Sequence, residues 1–267
     1  IRGPFRSRDP KDILKEAESY IKSGTKELLL VAQDLTGYRW KKDYGLSHLL
    51  KDIASISGDF WIRPLYLYPT GIDDPLLDVI AGEDKICKYF DVPLQHSEDK
   101  VLRLMRRAGS KKKHIELIRR IRQVPSASLR TSFIVGFPGE TEEDFEGLIG
   151  FVEEVGFDRL GAFIYSKEEG TPAALMKGHV PERVKKRRFD KLMRLQNGIS
   201  LEKNKALVGR RLRALLDDEK AGRIYSQAPE IDGVTFIEGG RNSISVGDFV
   251  DVLINRAYDY DVAGEAV

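Results

Sequence analysis

The residues of this chain that are equipped for chemistry stand just after short apolar runs. Gln33 and Asp34 follow the run Glu27 to Ala32, and Tyr68 follows Trp61 to Leu67. Gln95 and His96 follow Tyr89 to Val92, and Tyr165 follows Asp158 to Ile164. His96 is the acid/base candidate among the histidines, because an imidazole changes charge near neutral pH. A hydrogen-bonded structural role fits the same position. Asp34 after a strand fits an active-site loop or a local cap. A second chemistry lies in Thr131 to Phe145. Phe133 to Val135 is a strand-like apolar run, and Gly136 to Gly139 is a turn in which two glycines flank Phe137 and Pro138. Thr141 with Asp144 forms a capping box that opens a helix. Such a turn presents free N–H groups at a helix N-terminus, where an anionic ligand group is welcome. It also fits a plain strand-to-helix connection. It is not a P-loop, because no Gly-Lys-Ser/Thr follows, and not a dinucleotide fingerprint.

Other reactive types carry less. Cys87, the only cysteine, lies in an apolar run and reads as a small buried hydrophobe rather than a nucleophile. His48, His114 and His179 read as exposed. Two basic stretches stand out: Arg103 to Arg122, and Arg183 to Arg188. Each fits a solvated face or a contact with RNA.

These residues need a scaffold, and the order of elements supplies one. Asp9-Pro10 opens a helix to Ser23, and Gly24 stops it. Strand, polar loop and helix then repeat about five times, which predicts a parallel sheet with crossover helices. An open doubly wound sheet and a partial β/α barrel both fit. In either, ligands gather at the strand C-termini. Pro181 opens a long basic helix. Short strands at Arg211 to Leu216, Arg223 to Gln227, Val234 to Ile237 and Asp248 to Ile254, with the turn Glu238-Gly239-Gly240, predict a small β-barrel. The division is 1–205 and 206–267.

With 267 residues, 41% apolar and 32% charged, the chain has the makings of a soluble globular protein without a membrane span. One cysteine excludes an internal disulfide and any multi-cysteine metal site within these residues, and fits a reducing, cytoplasmic setting. From Pro181 to Arg213 there are 12 Lys/Arg against three acids, and from Ala214 to Val267 four against 11. A basic connector feeds an acidic end. The opening Ile1-Arg2-Gly3-Pro4-Phe5-Arg6-Ser7-Arg8 reads as the interior of a longer protein.

That opening resembles the radical-SAM methylthiotransferases, together with Gln33-Asp34, the Ile134 to Phe145 segment, Phe157-Asp158, Tyr165-Ser166, Gly170-Thr171-Pro172-Ala173 and Leu195-Gln196. The final 60 or so residues resemble that family's TRAM domain. Pro64 to Pro69, Asp91 to His96 and Ala228 to Gly233 resemble the RimO-type branch, which modifies an aspartate of the twelfth small-subunit ribosomal protein. The tRNA-modifying branch, the alternative, typically has Ser-His-Pro at Tyr66 to Pro69 and Gln-Asn at Gln33-Asp34. A non-catalytic ribosome-binding module is the alternative of another class.

The resemblance implies a radical-SAM barrel lacking its first strand, S-adenosylmethionine as cofactor, and two [4Fe–4S] clusters in the intact enzyme. One cluster serves to generate the radical that takes hydrogen from the aspartate β-carbon, the other delivers sulfur, and a further S-adenosylmethionine supplies the methyl. The cluster-binding Cys-x3-Cys-x2-Cys motif would lie before Ile1, so no cluster and no catalysis are expected of these residues alone. Cofactor contacts are expected from Gln33, Gln95, Arg130, Ser132, Gly136, Phe137 and Tyr165, with Phe137 over the adenine. Asp34 and His96 are expected to orient the substrate. The acidic TRAM segment is expected to attract a basic ribosomal protein, and the basic helices to touch ribosome or RNA.

Overall fold

The computed structural model describes residues 4–239 and 245–267. Ile1, Arg2, Gly3 and Gly240 of the motifs above lie outside them. Helix α1 (Pro10–Lys22) starts where Asp9 caps it, its carboxylate accepting the Lys11 N–H at 2.9 Å. Five parallel strands follow: β1 (Glu27–Leu30), β4 (Trp61–Pro64), β5 (Tyr89–Asp91), β6 (Ser128–Val135) and β7 (Arg159–Ile164). A minute hairpin, β2 (Arg39–Trp40) with β3 (Tyr44–Gly45), interrupts the first crossover. The crossover helices are α2 (Leu46–Ala54), α3 (Asp74–Gly82), α4 (Asp99–Leu104), α5 (Lys111–Ile121) and α6 (Glu142–Val155).

The strands lie side by side in chain order. β1 pairs with β4, and β5, β6 and β7 form one ladder. The Ile62–Ile86 bridge and the Leu67 N–H to Asp91 carbonyl bond (2.8 Å) join β4 to β5. A doubly wound sheet reverses its strand order and carries helices on both faces. Here the order never reverses, and one face takes the helices. Leu28, Ile62, Phe90, Leu129, Phe133 and Leu160 pack into one core with residues of α2, α3, α5 and α6. The arrangement is a segment of a β/α barrel whose edges are β1 and β7.

Helix α7 (Glu182–Lys205) leads to β8 (Arg211–Leu216), β9 (Ala221–Ile224), β10 (Thr235–Glu238), β11 (Phe249–Ala257) and β12 (Val262–Ala266). They close into a barrel in the order β10-β12-β11-β8-β9. The expected small β-barrel is there, with one strand, β12, that the turn signals did not reveal. No helix among the described residues is long and apolar enough to cross a membrane.

Candidate functional site

Side chains alternate across a strand, so the face opposite the helices carries every second residue. Its N-terminal half is filled by the C-terminal barrel. Trp61, Leu65, Cys87 and Tyr89 share an apolar cluster with Leu215 and Ala228. The Glu27 carboxylate accepts from Arg63 Nε at 2.7 Å and from Arg223 Nη1 at 2.6 Å, and Arg63 Nη1 donates to the Tyr225 carbonyl at 2.6 Å. The C-terminal half is open, and Leu29, Val31, Tyr66 and Phe163 are exposed there. The result is a concave site with a floor and a mouth.

Two strand ends at that mouth are held in the left-handed region by residues other than glycine, Tyr66 (φ 56°) and Gln95 (φ 70°). That conformation is disfavoured for L-residues, and it concentrates at functional sites. Neighbouring hydrogen bonds enforce it. The Tyr66 N–H donates to Asp91 Oδ2 (3.0 Å) and its carbonyl accepts from Leu35 (3.1 Å). The Gln95 N–H donates to the Ser132 carbonyl (2.8 Å), and its own carbonyl accepts from Ile134 (2.9 Å).

The expected site residues divide into two groups. Gln95 and Ser132 meet on adjacent strands, with Arg130 two residues earlier on β6, and Gln33 is exposed on the loop after β1. Phe137 and Tyr165 meet edge to face at 5.1 Å, and the buried Tyr165 hydroxyl has no hydrogen-bond partner among the described residues. Arg130 is not free. Its Nη1 donates to Asp91 Oδ1 at 2.8 Å and its Nε lies 3.7 Å from Asp232 of the C-terminal barrel.

The other group is turned inward. Asp34 Oδ1 accepts from Thr36 Oγ1 (2.5 Å) and from the Gly37 N–H (3.1 Å), capping a single 3₁₀ turn. His96 is wholly buried. Its Nδ1 accepts the Glu98 N–H at 3.0 Å, which leaves the proton on Nε2, 3.9 Å from Glu140. Burial pushes its pKa down to about 4, Asp144 opposes the shift and Arg188 adds to it. His96 thus supports the turn from behind.

The turn itself corrects the expectation of free N–H groups. Glu140 Oε2 accepts from Gly136 N at 2.6 Å and Phe137 N at 3.2 Å, while Gly139 N donates to the Gly178 carbonyl at 3.0 Å. A carboxylate of the chain fills the place of the anion. Its charge is balanced by buried Arg188 Nη1 at 2.8 Å. Burial nevertheless raises the Glu140 pKa, against the lowering effect of Arg188 and the two amides. Gly136 (φ 75°) is needed for the turn and for Lys185, whose aliphatic stem occupies the space a Cβ would take. The glycine therefore accommodates a side chain of α7.

Three further expectations change. The strand expected at Phe133 begins at Ser128, because Arg130 and Ser132 face the concave side. His114 is buried, not exposed, against Gly109, with its pKa pushed down to about 4 by burial and Asp99 opposing. The basic stretch on α7 is largely tied internally. Lys185 and Arg188 are buried, and Arg187 and Arg188 pair with Glu142. Cys87 is a buried hydrophobe as read, and burial pushes its thiol up to about 11.

Glu140, Asp91 and Asp232 were not picked out from the sequence as site residues. Glu140 had a weak signal, an acid directly after a glycine turn. Asp91 and Asp232 lay within motifs but showed no pattern of their own. A cavity of about 700 Å³ runs along the free edge of β1, lined by Phe5, Arg8, Ala17, Leu28, Leu30 and Asp34 among others. It does not reach Gln95, Ser132 or Tyr165.

A β/α-barrel segment with an open mouth at its strand C-termini, floored by a closed β-barrel, defines an α/β domain of the ligand-binding kind seated on a small accessory module. Residues 1–152 match the family model of the radical SAM superfamily, and residues 208–267 match that of the TRAM domain. The chain belongs to the radical SAM superfamily.

The chain is 54% identical to a protein of Thermodesulfovibrio yellowstonii named ribosomal protein uS12 methylthiotransferase RimO, over 100% of this chain and 64% of that one. A protein of the same name from Geotalea uraniireducens is 47% identical over 100% of this chain and 61% of its own length. The chain thus spans under two thirds of these relatives. Among solved structures, coproporphyrinogen III oxidase of Escherichia coli, a radical SAM enzyme, superposes with a TM-score of 0.55 over 71% of this chain and 46% of that one, at 20% identity. That likeness concerns the fold.

Proposed function

We propose that the whole protein to which these residues belong transfers a methylthio group to the β-carbon of an aspartate of ribosomal protein uS12. The identity of 54% over the full chain to a relative named a ribosomal protein uS12 methylthiotransferase carries the reading, and the aspartate β-carbon comes from the family resemblance. Residues 1–205 are read as the barrel domain and 206–267 as the accessory module, and the setting as cytoplasmic. In the whole protein, bound S-adenosylmethionine would supply the methyl group and, with an electron from outside these residues, the means of removing hydrogen. The residues at the mouth fit such a polar, adenine-bearing ligand. Gln95 and Ser132 carry polar side chains towards the ends of adjacent strands, Gln33 stands on the loop after β1, and Phe137 packs against Tyr165. Arg130, held between two carboxylates, orients the floor below.

The iron–sulfur clusters do not fit the residues present. Cys87 is the only cysteine and is buried, and no described group of three His, Cys, Asp or Glu side chains is arranged for a metal ion. No step through a cluster is therefore assigned to this chain. Substrate contacts are read at two surfaces. The acidic end of the chain suits a basic ribosomal protein. Arg103, Arg106, Arg107, Lys112 and Lys113 have no acidic partner among the described residues, unlike the α7 cluster, and suit RNA phosphate beside it.

The test is a competition. The whole protein, reconstituted without oxygen, is given methyl-labelled S-adenosylmethionine with uS12 and tRNA together. Label in the protein fraction supports the reading, and label in tRNA overturns it.

A further inference from the structure

One path of hydrogen bonds, with a single ion-pair contact in it, runs from the C-terminal barrel to the mouth. Asp232 lies in the connection between β9 and β10. Its Oδ2 accepts from the Tyr89 hydroxyl at 2.6 Å and from the Ala228 N–H at 2.9 Å. Its Oδ1 faces Arg130 Nε at 3.7 Å. Arg130 Nη1 holds Asp91 Oδ1 at 2.8 Å, and Asp91 Oδ2 holds the N–H of Tyr66 at 3.0 Å. The Tyr66 carbonyl then fixes the N–H of Leu35, next to Gln33 and Asp34. Tyr89 and Asp91 have almost no exposed surface, and only a tenth of the Arg130 side chain is accessible. Water therefore competes poorly for these contacts; the Tyr89–Asp232 and Arg130–Asp91 bonds are of the strong, charge-assisted kind, and the Arg130–Asp232 contact at 3.7 Å is an ion pair without a hydrogen bond.

The path ends on a residue whose conformation needs enforcement. Tyr66 is non-glycine at φ 56° and 43% exposed at the open face. A backbone held in the left-handed region persists only where surrounding bonds over-determine it. Two of the bonds that do so belong to Asp91 and Leu35, and Asp91 is itself aimed by Arg130.

We propose that Asp232 is a positioning residue for the mouth. Through Arg130 and Asp91 it fixes the backbone of Tyr66 and the loop that carries Gln33. The C-terminal barrel is then part of the construction of the site as well as a candidate surface for the substrate. Only the word "site" rests on the functional reading. The path itself is testable without substrate or cofactor.

The experiment uses this chain, wild type against Asp232→Asn, Asp232→Glu and Tyr89→Phe, followed by amide hydrogen exchange and by the side-chain N–H resonance of Arg130. Asp232→Asn is expected to speed exchange at Tyr66 and Leu35 about three- to tenfold, the size of one lost ion-pair contact. Protection in β8 and β11 stays unchanged and the Arg130 resonance moves. Asp232→Glu restores most of the protection, and Tyr89→Phe gives a smaller change in the same direction. Effects confined to residues 225–234, or an unmoved Tyr66, overturn the proposal. Should Asp232→Asn fail to fold, Tyr89→Phe decides, because it leaves both carboxylates in place. Unchanged exchange at Tyr66 in that variant overturns the proposal equally.

Discussion

Glu140 accepts the N–H of Gly136 at 2.6 Å, so the glycine turn at the end of β6 is closed by a carboxylate from its own chain. The same carboxylate is the counter-ion of buried Arg188. Removing it leaves two buried amides without their acceptor and breaks the buried ion pair of Arg188, which keeps only Glu142 as a charged partner. We expect Glu140→Ala to lower stability by about 3 kcal/mol, the lower end of the usual cost of breaking a buried ion pair, because Glu142 still pairs with Arg188. Arg187→Ala, at an exposed pair with Glu142, should cost no more than about 1 kcal/mol. Urea denaturation of both variants checks the contrast.

Two glycines should respond to alanine with opposite signs. Gly136 has φ 75°, and a Cβ there would collide with the stem of Lys185. Gly198 lies inside α7 with nothing near its Cβ position. We expect Gly136→Ala to destabilise by about 2 kcal/mol or more and Gly198→Ala to stabilise by about 0.5–1 kcal/mol. Thermal unfolding of the pair reads both.

Stability should fall in mild acid. His96 and His114 both titrate near 4 in the fold, against 6.5 for a free imidazole. Between those values the unfolded chain binds more protons, so the stabilisation is complete above about pH 6.5 and is lost as pH falls towards 4. Each histidine contributes on the order of 2–3 kcal/mol to that loss. Replacing His114 by Leu should flatten the curve of melting temperature against pH between 6.5 and 4. An unchanged slope would show that burial does not keep this imidazole neutral.

Gln95 separates backbone from side chain. Its φ of 70° suits glycine, so Gln95→Gly should change stability by no more than about 1 kcal/mol. The same change removes the amide from the mouth. In the whole protein it should weaken S-adenosylmethionine binding by about tenfold, the loss of one good hydrogen bond. Calorimetric titration against the wild type measures this.

Much of the scaffold was legible because each element carried a local signal. Asp9-Pro10 announced α1, Thr141 with Asp144 announced α6, and Gly156 ended it. What escaped depends on partners far along the chain. The first half of β6 looked polar because Arg130 is matched by Asp91 and Asp232, and the Tyr89 contact that fixes Asp232 spans 143 positions. His114 gave no warning of burial, since a neutral imidazole against a glycine leaves no periodic trace. The turn misled for a related reason. A glycine turn before a capped helix signals an anion site, and the anion here is Glu140, held by Arg188 from 48 residues away. The residues proposed to face the cofactor were readable only as strand ends, which marks where the mouth is and not which side chains are available there.

The most direct test of the functional account is the product itself. The whole protein, loaded with iron and sulfide and supplied with S-adenosylmethionine and reductant, is incubated with uS12, and the protein is then fragmented and sequenced by mass spectrometry. The account predicts the added mass of one methylthio group on the β-carbon of a single aspartate of uS12. Unmodified uS12 from an enzyme that does cleave the cofactor would contradict it.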